Sequence, residues 1–95
     1  MFYVYIIYSQ SIDAFYVGQT IDISIRIEEH NTKSYDNSST AKAKDWELYF
    51  SIECYSRNQS IFIERHIKSM KSRKYYESLK TYPEISEKLL NKFSK

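Results

Sequence analysis

The stretch FYVYIIY, residues 2–8, decides how the rest of this chain is read. Seven consecutive aromatic, aliphatic and β-branched side chains bounded by the polar segment 9–13 read as a buried strand. A second short run at 15–17 follows after a loop short enough for a hairpin, so the two strands are expected to pair antiparallel. Gly18, the only glycine in the chain, is expected to end the second strand. Glycine serves where backbone bends sharply or approaches another group closely, and its plainest use here is to make the turn.

Outward from this hairpin the pattern becomes mixed. Residues 21–27 alternate isoleucine with polar side chains, which taken alone argues for a strand. Asp22 is nevertheless a good helix N-cap, Ile23, Ile27 and His30 fall at i, i+4 and i+7, and Asn31 suits a stop. A helix is therefore expected, with Arg26 and His30 on one face. Residues 32–44 are polar and read as an exposed loop. Trp46, Leu48, Phe50 and Ile52 then alternate with Glu47, Tyr49, Ser51 and Glu53, which predicts a third strand. Ser56 followed by Gln59 resembles a capping box, and Ile63, Ile67 and Met70 continue at helical spacing. A short helix is expected around 75–79, and Pro83 with Glu84, Ile85, Leu89 and Phe93 marks a final amphipathic helix. The expected architecture is a small α+β domain. Its three-stranded antiparallel sheet is flanked by helices, in the order β-β-α-β-α plus a C-terminal helix.

With 95 residues, 42% of them hydrophobic, the chain can fill one modest core. One domain over 1–95 is expected, its core spanning about 2–80 and its terminal helix about 83–93. The single cysteine, Cys54, cannot form an internal disulfide, and no apolar stretch reaches the roughly 20 residues of a membrane span. No secretory leader is visible, so a cytoplasmic location is expected. The net charge of +2 is unevenly spread. Acidic side chains outnumber basic ones eight to four in residues 1–56, whereas ten basic side chains face four acidic ones in 57–95. The basic density peaks at Arg65, Lys68, Lys71, Arg73 and Lys74, a field suited to a phosphate backbone or simply a solvated helix face.

Glycine-rich phosphate loops, zinc-spaced cysteine and histidine sets and serine nucleophile elbows are all missing. Any chemistry must be assembled from tyrosine, arginine, histidine and a lone carboxylate. Tyr3-Val4-Tyr5, then Tyr16-Val17-Gly18, then Arg26 with His30 four residues on, then Glu64 in a later helix resemble the GIY-YIG endonuclease pattern in order and spacing. The flanking segments FYVYIIYS, FYVGQT, RIEEHN and IERHIKSMK are similar to short, stand-alone bacterial members, over about residues 2–74.

That resemblance implies a phosphodiesterase using one divalent ion, Mg²⁺ or Mn²⁺. It implies Tyr5 and Tyr16 as the tyrosines of the two name-giving motifs, Arg26 as a phosphate clamp, His30 as a proton-transfer group and Glu64 as the metal ligand. Lys68, Lys71, Arg73 and Lys74 are expected to contact nucleic acid, DNA more readily than RNA. The chemistry is consistent with these types: a guanidinium forks onto two phosphate oxygens, and a carboxylate holds a hard cation. A tyrosine at its reference pKa of about 10 is a poor base, whereas histidine at about 6.5 is an easier one, and the sequence leaves the choice open.

Two departures from the family pattern stand out: Tyr3 occupies the glycine place of the first motif, and Val17 replaces isoleucine in the second. A family asparagine beyond the glutamate has no clear counterpart, since Asn91 falls in the expected terminal helix. Larger members carry separate target-recognition domains for which 95 residues leave no room, so structure-selective or weakly sequence-selective cleavage is expected. Three readings compete. An active endonuclease needs all five residues in one cleft. A catalytically weak nucleic-acid-binding module would keep the fold and use the basic residues alone. A protein-interaction subunit would use the Ile85, Leu89 and Phe93 face. A monomer or weak homodimer is expected, with room for a targeting protein partner. Singly, each candidate has an ordinary use: strand tyrosines pack, and Glu64 with Lys68 makes a helix pair worth about 0.2–0.5 kcal/mol.

Overall fold

The structure, a computed structural model, describes residues 1–32 and 42–94. The polar loop expected over 32–44 falls largely outside the described residues. β1 (Phe2–Ser9) is the middle strand of a three-stranded sheet of order β2-β1-β3. β2 (Ala14–Thr20) and β3 (Trp46–Cys54) pair with it antiparallel on either side. This central place explains the unbroken apolar run of β1. Val4 and Ile6 enter one core with Val17, Ile52 and Cys54, while Tyr5 and Ile7 enter a second, smaller core with Ala43 and Trp46. Alternation therefore persists, but between two cores instead of between core and water.

Among the described residues four helices cover the sheet: α1 (Ile23–Thr32), α2 (Arg57–Met70), α3 (Arg73–Thr81) and α4 (Pro83–Lys92). The element order is β-β-α-β-α-α-α, the three-stranded α+β arrangement expected, with the 75–79 helix longer than foreseen. Ile63, Ile67, Leu79 and Leu89 of the last three helices fill the larger core, and Ile27 of α1 packs against the smaller one. α1 starts because the Asp22 carboxylate accepts from the Ile25 amide at 3.0 Å. Ile21 and Ile25, the isoleucines that imitated a strand, are 72% and 57% exposed. α2 starts on Ser56, whose hydroxyl accepts from the Gln59 amide at 3.1 Å. The reciprocal half of the capping box is displaced by one residue, since the Gln59 side-chain Oε1 accepts from the Tyr55 amide at 2.6 Å. Gln59 also donates to the Leu90 carbonyl, fastening α4 to the start of α2.

Three local expectations are corrected. Gly18 lies inside β2, which runs on to Thr20, and its φ is not positive. Asn31 does not stop α1. Its side-chain amide donates to the Trp46 carbonyl at 3.0 Å and accepts from the Trp46 amide at 2.8 Å, imitating a strand neighbour at the start of β3. The simple alternation of β3 is broken by a bulge: Ile6 faces Phe50 but Ile7 faces Leu48, leaving Tyr49 as the extra residue. Tyr49 consequently turns into the larger core, 5.0 Å from Phe15 in an edge-on contact, and Leu48 is left 47% exposed. Among the described residues no helix is long and apolar enough to cross a membrane.

Candidate active site

The smaller core carries the buried phenol of Tyr5, and His30 lies against it. Tyr5 of β1 pairs with Gly18 of β2, and its ring lies over that glycine. A Cβ on Gly18 would stand 2.5 Å from Tyr5 Oη and 2.7 Å from Cζ, so the missing side chain is what makes room for the phenol. Tyr5 Oη lies 2.8 Å from His30 Nε2, and the Arg26 side chain hydrogen-bonds to the same phenol. One helical turn separates Arg26 from His30, which is why α1 delivers both. Arg26 is steadied by Glu29 at 3.2 Å, an i, i+3 pair that the sequence reading missed although its spacing was visible.

Burial sets the protonation states. Tyr5 is 1% exposed, and its pKa is pushed up to about 12 because desolvation outweighs the hydrogen bond and positive charge of Arg26. His30, 3% exposed, is held below the ordinary imidazole range, first by burial and then by Arg26, against a smaller opposing pull from Glu29. At neutral pH the pair is therefore a phenol and a neutral imidazole. Arg26 donates to the phenolic oxygen, and the direction of the 2.8 Å Tyr5–His30 bond follows the imidazole tautomer.

Tyr16 and α2 complete the cluster. The Tyr16 ring meets His30 edge-on at 5.1 Å and Tyr5 at 6.5 Å. Lys68 Nζ sits 5.6 Å from the centre of the Tyr16 ring and 2.8 Å from Glu64 Oε2. The Glu64 charge reaches the Tyr5 phenol as well, adding slightly to the rise in its pKa. Arg26 and Glu64 thus act on one phenol, and Tyr5, Tyr16, Arg26, His30 and Glu64 form one connected group drawn from β1, β2, α1 and α2. Tyr5 and His30 form its floor; Tyr16, Arg26 and Glu64 are its more accessible members.

The GIY-YIG catalytic-domain family model matches residues 1–77, the segment that contains all five. The chain belongs to the GIY-YIG family. No curated protein and no solved structure gives a significant match. The family comprises endonucleases, so the GIY-YIG fold seen here is of the nuclease type and nucleic acid is the class of partner it implies. Helix α4, which carries Asn91, lies beyond the matched segment.

A divalent ion would be held here by Glu64. Among the described residues no three histidine, cysteine or acidic side chains gather as they would around zinc. One carboxylate, 16% exposed, suits instead a hard cation that keeps several waters and shares a substrate phosphate. The basic side chains expected to contact nucleic acid separate into different settings. Lys71 is the left-handed cap of α2 with φ 47°, and Lys74 is exposed in the first turn of α3. Arg73 clasps the β1–β2 hairpin: Nη1 donates to Asp13 Oδ1 at 2.9 Å, Nη2 donates to the Asp13 carbonyl, and the guanidinium lies 5.2 Å over Phe15.

Proposed function

We propose that this GIY-YIG protein is a divalent-metal-dependent endonuclease that hydrolyses phosphodiester bonds in DNA, with structure-selective or weak sequence selectivity. The observation that carries the reading is the 2.8 Å contact between Tyr5 Oη and His30 Nε2, made beside the Arg26 guanidinium and within the field of Glu64. Hydrolysis needs an in-line water, charge stabilisation on the nonbridging oxygens and help for the leaving oxygen. Arg26 clamps the phosphate through its planar fork, and Glu29 keeps that fork in place. Glu64 would hold a Mg²⁺ or Mn²⁺ ion, and that ion would supply Lewis-acid charge to the reacting phosphate.

The proton of the attacking water leaves through Tyr5 and His30. A phenol pushed up to about 12 facing an imidazole held below its ordinary range disfavours a standing phenolate–imidazolium pair. Tyr5 therefore does not wait as a phenolate; it passes its proton to Nε2 as it takes the water's, and His30 is the acceptor. Tyr16 borders this path and holds the imidazole edge. The remaining basic side chains Lys71 and Lys74 contact the backbone beyond the scissile bond.

The test is a panel of branched, flapped and single-stranded DNA and RNA incubated with Mg²⁺ or Mn²⁺ and wild type, beside Glu64→Ala. Cleavage of DNA by wild type alone is expected. A panel that is bound but left intact by wild type with either ion replaces this reading with the catalytically weak binding module.

A further inference from the structure

Lys68 stands in an unusual relation to the cluster. It is 48% exposed, yet its ammonium is turned inward, 2.8 Å from Glu64 Oε2 and over the Tyr16 ring at 5.6 Å. A solvated lysine at i, i+4 gains little from a carboxylate and is free to leave it. Here the carboxylate is largely covered, at 16% exposed, and leaving it without a counter-charge beside the Tyr5 phenol is unfavourable. The face of Tyr16 adds a second attraction that holds the ammonium on the same spot. Among the described residues Lys68 is the cation paired with Glu64, so one of the two oxygens that a divalent ion would use, Oε2, is already taken by a side-chain cation.

We propose that Lys68 is a positioning residue that occupies the cation place on Glu64 and is displaced when a divalent ion binds. The inference rests on the reading of Glu64 as the metal ligand. It assigns to Lys68 a task beyond nucleic-acid contact: holding the carboxylate aimed at the cluster while lowering its affinity for free ions. An ammonium 2.8 Å from Oε2 and a divalent ion on that same oxygen exclude each other, so for ion binding through Oε2 the lysine enters the metal equilibrium as a competitor. A pair of the strength typical for such side chains weakens ion binding about 1.4- to 5-fold.

The experiment follows Mn²⁺ binding to the full chain by paramagnetic broadening of backbone amide signals, which reads affinity without any turnover. Lys68→Met keeps the length and apolar stem of the side chain and removes its charge; Lys68→Arg keeps a cation. Expected is a Lys68→Met protein that binds Mn²⁺ about 1.4- to 5-fold more tightly than wild type, a Lys68→Arg protein close to wild type, and broadening centred on α2 that Glu64→Ala abolishes. Unchanged or weaker Mn²⁺ binding by Lys68→Met, with broadening still lost in Glu64→Ala, overturns the competitor role and leaves the Glu64 reading standing. Broadening that is absent from α2 in wild type, or that survives Glu64→Ala, overturns both.

Discussion

Replacing Gly18 by alanine tests whether the Tyr5 phenol must lie where it does. The added Cβ would meet Tyr5 Oη at 2.5 Å and Cζ at 2.7 Å, whereas ordinary contacts lie near 3.5 Å. The ring must therefore move by about 1 Å. It has little room: the residue is 1% exposed, with Tyr16 and His30 against it. A shift of that size breaks or distorts the 2.8 Å contact to His30. Overpacking of this kind costs about 1–3 kcal/mol, and alanine recovers about 0.5–1 kcal/mol from the reduced backbone entropy of the unfolded chain. The net loss of up to about 2.5 kcal/mol corresponds to a fall of up to roughly 20 °C in melting temperature for a chain this size. Cleavage should fall about 100-fold, as it does when a reacting group is misplaced by 1 Å. The assay pairs a thermal melt with kcat/KM on a flapped DNA. Val17→Ala, a truncation of the neighbouring residue that faces the larger core, should lower the melt while leaving the rate near wild type. A Gly18→Ala protein that cleaves at the wild-type rate would refute the assignment of the phenol to the proton path.

Arg26→Ala and Glu64→Ala should each lower cleavage at least about 100-fold, with circular dichroism spectra unchanged. His30 must be neutral to accept a proton, and its folded pKa is depressed, so cleavage should fall as pH drops through a value below 6.5. The same depression makes stability fully present above the unfolded imidazole pKa and lost as pH falls through the folded one, and His30→Gln should flatten that part of the melting curve against pH. Lys74→Ala should weaken DNA binding across sequences and reduce the slope of log affinity against log salt by about one, measured by fluorescence anisotropy. Arg73→Ala and Asp13→Ala should each lower the melting temperature and be non-additive when combined, with DNA binding close to wild type in the Arg73 variant.

The sheet and most helices were legible because their signals are local. Ser56 caps α2 through the Gln59 amide three residues on, and Asp22 caps α1 in the same manner. Arg26 and His30 needed only the helical turn between them, once Asp22 was allowed to outweigh the isoleucine alternation. Features set across the chain were not legible. Gly18 looked like a turn because its neighbours in sequence say nothing of the ring that crosses it from β1. Tyr49 fitted a regular strand because a bulge is decided by the partner's register. Asn31 resembled a stop because its two bonds reach Trp46 at the far end of a connection. Arg73 looked like part of a basic run because a charge pattern does not disclose an acid 60 positions away. Glu29 alone among the supporting residues carried a readable signal, its spacing from Arg26.

The position of β1 between two cores separates scaffold from proposed site along a single strand. Even-numbered Val4 and Ile6 enter the larger core, while odd-numbered Tyr5 and Ile7 enter the smaller one, where the site is proposed. Substitutions that toughen the molecule against heat can therefore be sought at one parity with the other left untouched. A one-residue slip of this strand would exchange the two sets wholesale, so its alignment with Gly18 guards the chemistry and the architecture together.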